Sequence, residues 1–138
     1  MKDLMNNINV KRVLSPVSVA DNTAQVGQVI DGQGAASLTY VIATGSLGDA
    51  GAEFTVLLEE CDTSGGTYTA VADADLLGTE ALASFIQSDD DKCFKLGYIG
   101  KKRYTRLTIT PTNNATAALI AAVAILRPAL VPASNPPA

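Results

Sequence analysis

Hydrophobic and polar residues alternate along much of this chain, and the alternation is clearest over residues 92–111. One face of this stretch collects apolar or β-branched side chains: Phe94, Leu96, Tyr98, Thr105, Leu107 and Ile109. A period of two residues is typical of β-strands, in which successive side chains point to opposite faces. The interruption at Gly100 supplies a residue that suits a tight turn. We therefore predict a β-hairpin whose two strands are joined by a short basic turn.

Shorter segments of the same character recur throughout residues 17–87 and are bounded by Asp, Asn and Gly. They cover residues 17–19, 24–30, 37–44, 53–60 and 81–87. Two consecutive glycines at 65–66 predict a turn that joins the strand at 53–60 to a further strand as a hairpin. A short helix near Asp73 stays open as an alternative. The pattern as a whole predicts an all-β domain.

The most hydrophobic run of the chain covers residues 115–126. It is shorter than the ~20 residues that a helix needs to cross a bilayer, so we do not predict a membrane span. Its alanines would suit a buried helix, but Ile120, Val123 and Ile125 are β-branched and favour a strand. Because the neighbouring segments also have strand patterns, we predict that this run is a central strand.

The two ends of the chain lack a sustained periodicity. Residues 1–14 contain several asparagines and the basic pair Lys11 and Arg12, and residues 128–138 contain four prolines, among them Pro128 and Pro132. Proline has no backbone N–H and favours an extended chain. We therefore expect an N-terminal arm at 1–14, a β-sandwich domain at 15–127 and an extended tail at 128–138. Both ends are candidates for packing on neighbouring subunits.

The composition describes one globular domain with a core of small side chains. Of the 138 residues, 47% are hydrophobic and 17% are charged, which is enough to bury a core. Aromatic residues make up 5% and Trp is absent, so the core has to be built from Ala, Val, Leu and Ile between closely stacked sheets. The net charge of -4 argues against nucleic acid or an anionic membrane as a partner. The first residues lack the apolar run of a secretory signal, so we expect folding in a cytoplasm.

Few residues of this chain are equipped for catalysis or for metal binding. There is no His, which removes the commonest general base and metal ligand. Cys61 and Cys93 lack the paired spacing of a zinc site and are interpreted as buried thiols. The carboxylates at 73–75 and 89–91 do not match a calcium loop, and the Gly-Gln-Gly sequence at 32–34 lacks the third glycine of a dinucleotide loop. We therefore predict no enzyme, no catalytic residue, no metal and no cofactor.

One group of basic residues lies at the predicted turn and on the strand after it: Lys101, Lys102, Arg103 and Arg106. A solvated turn with the arginine side chains along the sheet is the simplest interpretation. Contact with an acidic protein surface is the second, because a turn presents its charges outward. Nucleic acid is the third, and the absence of interleaved aromatic residues counts against it. The candidate partner contacts are these four residues together with four from the chain ends: Lys11, Arg12, Pro128 and Pro132.

Three phrases of the sequence form a recognisable set: Leu-Glu-Glu at 58–60 before an Asp/Ser/Gly turn, Ala-Asp-Ala-Asp-Leu-Leu-Gly at 72–78, and Gly-Tyr-Ile-Gly followed by Arg-Tyr-Thr-Arg within 97–106. Together they resemble a group of small structural proteins of tailed bacteriophages and prophages. The resemblance covers roughly residues 20–127. It implies a single antiparallel β-sandwich of jelly-roll type, a capsid decoration (cement) protein on the outside of the phage head that bridges neighbouring subunits of the major capsid protein.

The expected function is therefore that of a virion structural protein, assembled in the bacterial cytoplasm as a homo-oligomer, a dimer or a trimer. It would stabilise contacts between major capsid subunits by multivalent clamping. Two alternatives stay open. One is a structural protein of the tail or the head–tail junction, and the other is a carbohydrate-binding module for the host surface. The lack of Trp counts against the second, although four tyrosines could provide stacking faces: Tyr40, Tyr68, Tyr98 and Tyr104.

Overall fold

The computed structural model describes residues 2–129, so Pro132 and the rest of the expected tail from residue 130 onward lie outside the described residues. The strands are β1 Asn9–Val19, β2 Gln25–Val26, β3 Ile30–Asp31, β4 Ala35–Leu47, β5 Glu53–Cys61, β6 Thr69–Ala70, β7 Leu76–Leu77, β8 Phe85–Ile86, β9 Cys93–Tyr98, β10 Tyr104–Thr112 and β11 Ala118–Pro128. The helix α1 Glu80–Ala83 and 3-10 turns at Met5–Asn7, Asp73–Asp75 and Gln87–Asp89 complete the described chain.

The strands form two antiparallel sheets stacked as a sandwich. Sheet A has the order β1-β11-β4-β9-β7, and sheet B has the order β2-β10-β5-β6, with β3 also paired to β10 and β8 to β5. Most connections cross from one sheet to the other, among them β4 to β5 and β9 to β10, and the first and last long strands are neighbours in sheet A. Double-sheet folds of this kind are jelly rolls. The predicted all-β, antiparallel sandwich of jelly-roll type is therefore confirmed.

The core lies between the sheets and consists largely of small and aliphatic side chains. At its centre, β11 pairs with β1 on one side and with β4 on the other. Its residues Ala118, Ala122 and Ala124 are at most 1% exposed, and such small side chains let the facing sheet approach closely. Aromatic rings fill one part of the core, where Phe85 stacks on Phe54 with ring centroids 4.9 Å apart. The most hydrophobic run of the sequence is thus a central strand, as predicted, and not a buried helix.

The strands on either side of the basic turn do not form the predicted hairpin. β9 pairs with β4 and β7 in sheet A, whereas β10 pairs with β5 in sheet B. The inner faces are nevertheless as predicted, because Leu96, Tyr98, Leu107 and Ile109 are at most 7% exposed. An alternating pattern identifies the buried face of a strand but not its hydrogen-bonded neighbour. The basic turn is therefore an arch from one sheet to the other, and the hairpin prediction is wrong. The hairpin predicted at the two glycines is present, because β5 pairs with β6.

The expected N-terminal arm enters the fold earlier than residue 14. β1 begins at Asn9 and pairs with β11 as far as Val19. Its pairing shifts register between Arg12 and Leu14 and again between Leu14 and Val17. Irregularities of this kind break the alternation of apolar residues, which is why the sequence shows no strand pattern there. The expected arm at 1–14 is therefore too long, because, of the described residues at this end, only 2–8 lie outside the sheets.

The cysteines are not the buried thiols that the sequence suggested. Cys61 is half-buried, Cys93 is exposed, and both are free. Cys93 is paired with Ala43 in sheet A, and both side chains lie on the outer face of that sheet. Alternation along β9 turns Cys93 outward because Phe94 and Leu96 point inward.

Helical structure among the described residues is confined to short turns. α1 begins after Thr79, whose hydroxyl accepts a hydrogen bond from the backbone N–H of Leu82 (3.1 Å). The short helix considered near Asp73 is a 3-10 turn. In the described part of the chain, no helix is long and apolar enough to cross a membrane.

Candidate binding cleft and outer face of sheet B

The arch between β9 and β10, residues 99–103, is held in place by the side chain of Tyr98. Its hydroxyl donates a hydrogen bond to Oε2 of Glu60 (2.6 Å) and accepts one from the backbone N–H of Lys102 (3.0 Å). A Cβ atom at Gly100 would lie 2.5 Å from the Tyr98 ring, so a larger residue there would displace the ring. Burial, and then the hydrogen bond to Glu60, raise the pKa of Tyr98 above its ordinary value. The arch therefore has a defined shape.

This arch forms one wall of a cleft with a volume of about 480 Å³. The opposite wall consists of the turn between β3 and β4 and the first residues of β4. A hydrogen bond from the backbone N–H of Gly32 to the carbonyl of Arg103 (2.8 Å) ties the two walls together. The Gly-Gln-Gly stretch is a turn, as predicted. It also lines a cleft that no local sequence pattern indicates.

Five of the eight predicted contact residues lie at this cleft or beside it. Three of them line it: Lys101, Lys102 and Arg103. Lys11 is adjacent, because its Nζ donates to the backbone carbonyl of Asp31 (3.3 Å). Pro128 is paired with Ala35, which belongs to the lining. The fold therefore brings residues from both ends of the domain to the basic arch.

The other three predicted contacts lie elsewhere. Arg106 is on the outer face of sheet B, opposite Glu59 of β5. Arg12 is on the outer face of sheet A, opposite Val123 of β11. Pro132 is outside the described residues.

Carboxylates neutralise most of the basic cluster at the cleft. The Nζ of Lys102 is 2.5 Å from Oδ2 of Asp62, and the guanidinium of Arg103 donates to both oxygens of Asp31 at 2.9 and 2.7 Å. The hydrogen bonds from Arg103 lower the pKa of Asp31 to about 2, and the hydrogen bond to Asp62 raises the pKa of Lys102. Lys101 forms no ion pair with any described residue. The cleft is thus close to electrical balance, with one unpaired ammonium group among its lining residues.

A second polar surface lies on the outer face of sheet B and meets the cleft at Arg103. The guanidinium carbon of Arg103 lies 4.9 Å from the ring centroid of Tyr104, and that of Arg106 lies 4.4 Å from the ring centroid of Tyr68. Planar guanidinium groups are attracted to the faces of aromatic rings. We call these four residues the tyrosine–arginine strip: Arg103, Tyr104, Arg106 and Tyr68.

Hydrogen bonds fix the orientation of the strip. Glu59 accepts two hydrogen bonds from Arg106, at 3.2 and 2.8 Å, in the same way that Asp31 holds Arg103. The hydroxyl of Tyr68 donates to the backbone carbonyl of Ser64 (3.0 Å). Hydrogen bonds therefore hold three of the four side chains of the strip, Arg103, Arg106 and Tyr68, in place before any ligand binds. A surface that is ordered in advance loses little conformational entropy when it binds.

Only two of the four tyrosines considered as stacking faces lie at the surface. Tyr40 is fully buried, and its hydroxyl is 2.6 Å from that of Thr105 in the core. Tyr98 is 7% exposed beneath the arch. Tyr104 and Tyr68 are partly exposed. Alternation along β10 predicts the outward direction of Tyr104, whereas Tyr68 lies in a loop whose position no sequence pattern reveals.

Within the carboxylate clusters noted in the sequence, the side chain of Asp89 serves local structure. Asp89 accepts a hydrogen bond from the backbone N–H of Ile86 (3.0 Å) and forms an ion pair with Lys92 (2.9 Å). The hydrogen bond from Ile86, followed by that from Lys92, lowers the pKa of Asp89. The described residues contain no group of three or more Cys, Asp and Glu side chains that could hold a metal ion.

No family model matches the sequence, and no curated protein matches it. Over 89% of its length, the chain is similar in structure to 25% of the N-terminal CBM22-1 and GH10 modules of Clostridium thermocellum endo-1,4-beta-D-xylanase 10B, with a TM-score of 0.48 and 11% identity. It is also similar to the C-terminal family 22 carbohydrate-binding module of that xylanase (TM-score 0.40, 9% identity, 92% of this chain and 90% of that one). A third similar structure is a xylan-binding domain of the same module family (TM-score 0.38, 9% identity, 92% and 91%).

These comparisons correct the leading functional expectation. The three similar structures contain family 22 carbohydrate-binding modules and are not virion proteins, so the expectation of a capsid decoration protein is wrong, as are the virion and cement roles attached to it. At 9–11% identity and with TM-scores below 0.5, the likeness says nothing about the ligand of this chain, which has to be argued from its own residues. The resemblance to phage structural proteins stays a prediction about origin.

Contacts in the structure show what two of the sequence phrases behind the phage resemblance do. Tyr98 of the Gly-Tyr-Ile-Gly phrase binds Glu60 of the Leu-Glu-Glu phrase, and Arg106 binds the neighbouring Glu59. The phrases therefore describe mutual contacts that hold the arch against sheet B. Contacts of this kind stabilise a fold and do not specify a partner.

Proposed function

We propose that this chain is a non-catalytic binding module whose cleft and tyrosine–arginine strip bind a neutral polysaccharide. The observation that supports this function is the continuity of the two surfaces at Arg103, which lines the cleft and also stacks on Tyr104. A linear ligand can place one sugar unit in the cleft and the next units along the strip. Concave sites with a few fixed polar groups are the usual places for such ligands.

The strip has the chemistry that a sugar ring requires. A pyranose presents flat faces of C–H groups and an edge of hydroxyl groups. The rings of Tyr104 and Tyr68, together with the guanidinium groups over them, supply flat surfaces for the faces. Glu59 and Asp31 supply acceptors for the hydroxyl groups, and hydrogen bonds to charged groups are the stronger ones.

Charge favours a neutral ligand over an acidic one. Asp31 and Asp62 already pair with Arg103 and Lys102, so an incoming carboxylate or sulfate would have to compete with an existing ion pair. Neutral hydroxyl groups can donate to the remaining lone pairs of the two carboxylates without breaking either pair. Apart from Lys101, the charged groups at the cleft are therefore already paired, which favours hydroxyl groups over acidic groups.

The site is proposed to bind and not to cleave. Glycoside hydrolysis generally uses two carboxyl groups that flank the scissile bond. The cleft lining itself includes no Asp and no Glu, the adjacent Asp31 and Asp62 are bound to Arg103 and Lys102, and the chain has no His. The described cleft thus lacks the usual acid and base.

Affinity electrophoresis and calorimetry with soluble polysaccharides test this function. The neutral set is xylan, mixed-linkage β-glucan and galactomannan, and the acidic set is alginate and polygalacturonate. Tyr104→Ala and Tyr68→Ala should each weaken binding of a neutral polysaccharide by roughly tenfold, because a stacked ring contributes about 1 kcal/mol beyond its buried area. Tyr104→Phe keeps the ring and should retain most of the affinity.

Leu82→Ala is the matched control for truncation of a large side chain, since Leu82 is 75% exposed on α1, away from cleft and strip. Each variant should keep the urea midpoint of the parent chain, which separates loss of the site from loss of the fold. Binding of acidic polysaccharides alone, binding that both tyrosine truncations leave unchanged, or no binding to any of the polysaccharides would contradict the proposed function.

A further inference from the structure

The outer face of sheet A differs from an ordinary solvated sheet face. Antiparallel sheets with one face in water usually alternate apolar residues inside with polar residues outside. Along β11, however, the outward side chains are Leu119, Ala121, Val123 and Ile125, and along β4 they include Thr39, Val41 and Ala43. Both faces of these central strands are therefore largely apolar. Leu119, for example, is 46% exposed to solvent.

The charged residues of this outer face are all basic. The strands of sheet A contain no Asp or Glu, whereas Arg12, Lys95 and Arg127 are exposed on its outer side. None of the three forms an ion pair with another described residue. Because the whole chain has a net charge of -4, this face is a basic exception on an acidic protein.

Strand register places two of these cations on opposite margins of the apolar centre. Arg12 is paired with Val123, Val123 with Val41, and Val41 with Lys95. This row, which we call the valine row, crosses four adjacent strands. At a strand spacing of ~4.8 Å the backbones of Arg12 and Lys95 are roughly 14 Å apart, with two valines between them.

We propose that the outer face of sheet A docks an acidic protein surface, one that presents an apolar strip with a carboxylate on each side. Carboxylates opposite Arg12 and Lys95 form the ion pairs that the fold leaves open, and they fix the orientation of the partner. The small side chains of the row allow the close packing found at the centre of protein interfaces. This surface lies on the other side of the sandwich from the tyrosine–arginine strip and does not depend on the proposed glycan site.

A second copy of the same face fits less well than an acidic partner. In a two-fold arrangement with the valine rows in contact, the basic margins of one copy meet the basic margins of the other. Like charges at an interface cost free energy. The homo-oligomer expected from the sequence stays a prediction, and it requires a different surface.

An anionic membrane is also a poorer fit. Segments that bind at a membrane interface bury large side chains such as Trp, Phe and Leu below their basic residues. The centre of this face consists instead of short side chains, among them Val41, Ala43 and Ala121. Short side chains provide little apolar depth for insertion into lipid, so this face suits another protein surface better.

A random copolymer of glutamate, alanine and tyrosine is the probe, because it combines carboxylates with apolar side chains. In a Cys61→Ser chain the one remaining thiol is Cys93, which lies on the docking face beside Ala43. We expect the copolymer to slow alkylation of Cys93. The double variant Arg12→Gln with Lys95→Gln should weaken copolymer binding by roughly tenfold or more.

The matched control makes the same change of net charge outside sheet A. Thr110 on sheet B and Ala81 on α1 are both exposed, so Thr110→Glu with Ala81→Glu adds two negative charges there. This control should keep most of the affinity for the copolymer. Val41→Asp, which places a charge in the valine row, should abolish binding while the urea midpoint shows that the chain is folded.

Two other measurements can assign the face to something else. Binding to mixed phosphatidylcholine–phosphatidylglycerol vesicles that the double glutamine variant loses would assign the face to a membrane. A dimer in analytical ultracentrifugation that Val41→Asp dissociates would assign it to a second copy. Either result overturns the inference, as does copolymer binding that the double glutamine variant and the control weaken equally, or no copolymer binding.

Discussion

The two arginines on the outer face of sheet B are paired with carboxylates, whereas the cations on the outer face of sheet A form no ion pair with a described residue. On sheet B, Arg106 binds Glu59 at 2.8 Å and Arg103 binds Asp31 at 2.7 Å. On sheet A, Arg12 forms no ion pair within the described chain, and apolar side chains fill the centre of the face. A ligand on sheet B can stack on the tyrosine rings and add hydrogen bonds, but the arginines beside these rings are already paired. A partner on sheet A can remove apolar surface from water and pair open charges at the same time.

The difference originates in the distribution of acidic residues between the strands. β3 and β5 of sheet B contain Asp31, Glu53, Glu59 and Glu60, and the strands of sheet A contain no acidic residue. β11 is instead almost continuously apolar, a pattern that is common in strands buried on both faces. The two sheets thus share one core but differ in what their outer faces can bind.

The largest expected effect is a difference in stability loss between two adjacent alanines of β11. One of them lies in the core and the other on the outer face. Ala122 is 1% exposed in the core, and Ala121 is partly exposed on the outer face. Ala122→Asp should cost more than about 4 kcal/mol of stability, because it buries a carboxylate without a partner. Ala121→Asp should cost about 1 kcal/mol. Urea unfolding followed by circular dichroism measures both, and equal losses would show that the outer face of sheet A is not open.

Residues of β10 show how far the sequence predicts this fold. Alternation alone identifies Leu107 and Ile109 as core and turns Tyr104 and Arg106 outward, and the structure confirms these directions. Alternation contains no information on which sheet a strand joins. A glycine-containing turn suits a hairpin and an arch equally, so the crossing between the sheets at Gly100 could not be predicted.

The candidate site was predictable only in part. Lys102 and Arg103 are recognisable as members of a basic cluster, but their partners Asp62 and Asp31 are 40 and 72 residues away in the sequence. No local pattern could show that these charges are paired. For the same reason the loop residue Tyr68 could not be placed beside Arg106 before the pairing of the strands was known.

The next largest effect concerns the ion pair between Arg106 and Glu59, whose side chains are 30% and 17% exposed. A double-mutant cycle with Glu59→Gln and Arg106→Gln should give a coupling energy of about 1.5 kcal/mol, because the pair is shielded and hydrogen-bonded twice. The same cycle with Arg12→Gln and Lys95→Gln should give a value near zero, since these two like charges are far apart and exposed. Urea unfolding at neutral pH provides both values. A coupling near zero on sheet B would remove the energetic difference between the two faces.

The smallest expected effect is a dependence of the free energy of unfolding on pH, which originates from Asp31 of sheet B. The hydrogen bonds from Arg103 lower the pKa of Asp31 from an ordinary 3.8 to about 2. Because the pKa is lower in the folded state, the stabilising contribution is complete above about pH 4 and is lost as the pH falls through about 2. The side chain of Asp31 is 38% exposed, and solvent screening limits this contribution to less than about 1 kcal/mol.

The free energy of unfolding of the parent chain and of Asp31→Asn, measured in urea between about pH 2 and pH 5, isolates this contribution. The advantage of the parent chain should be present at the upper end of the range and vanish at the lower end. Other carboxylates with a lowered pKa, such as Asp21 and Asp89, titrate in both chains and cancel in the difference. An advantage that does not change with pH would mean that Asp31 holds Arg103 over Tyr104 by shape and hydrogen bonding alone. Charge on sheet B would then be as unimportant for stability as it is expected to be on sheet A.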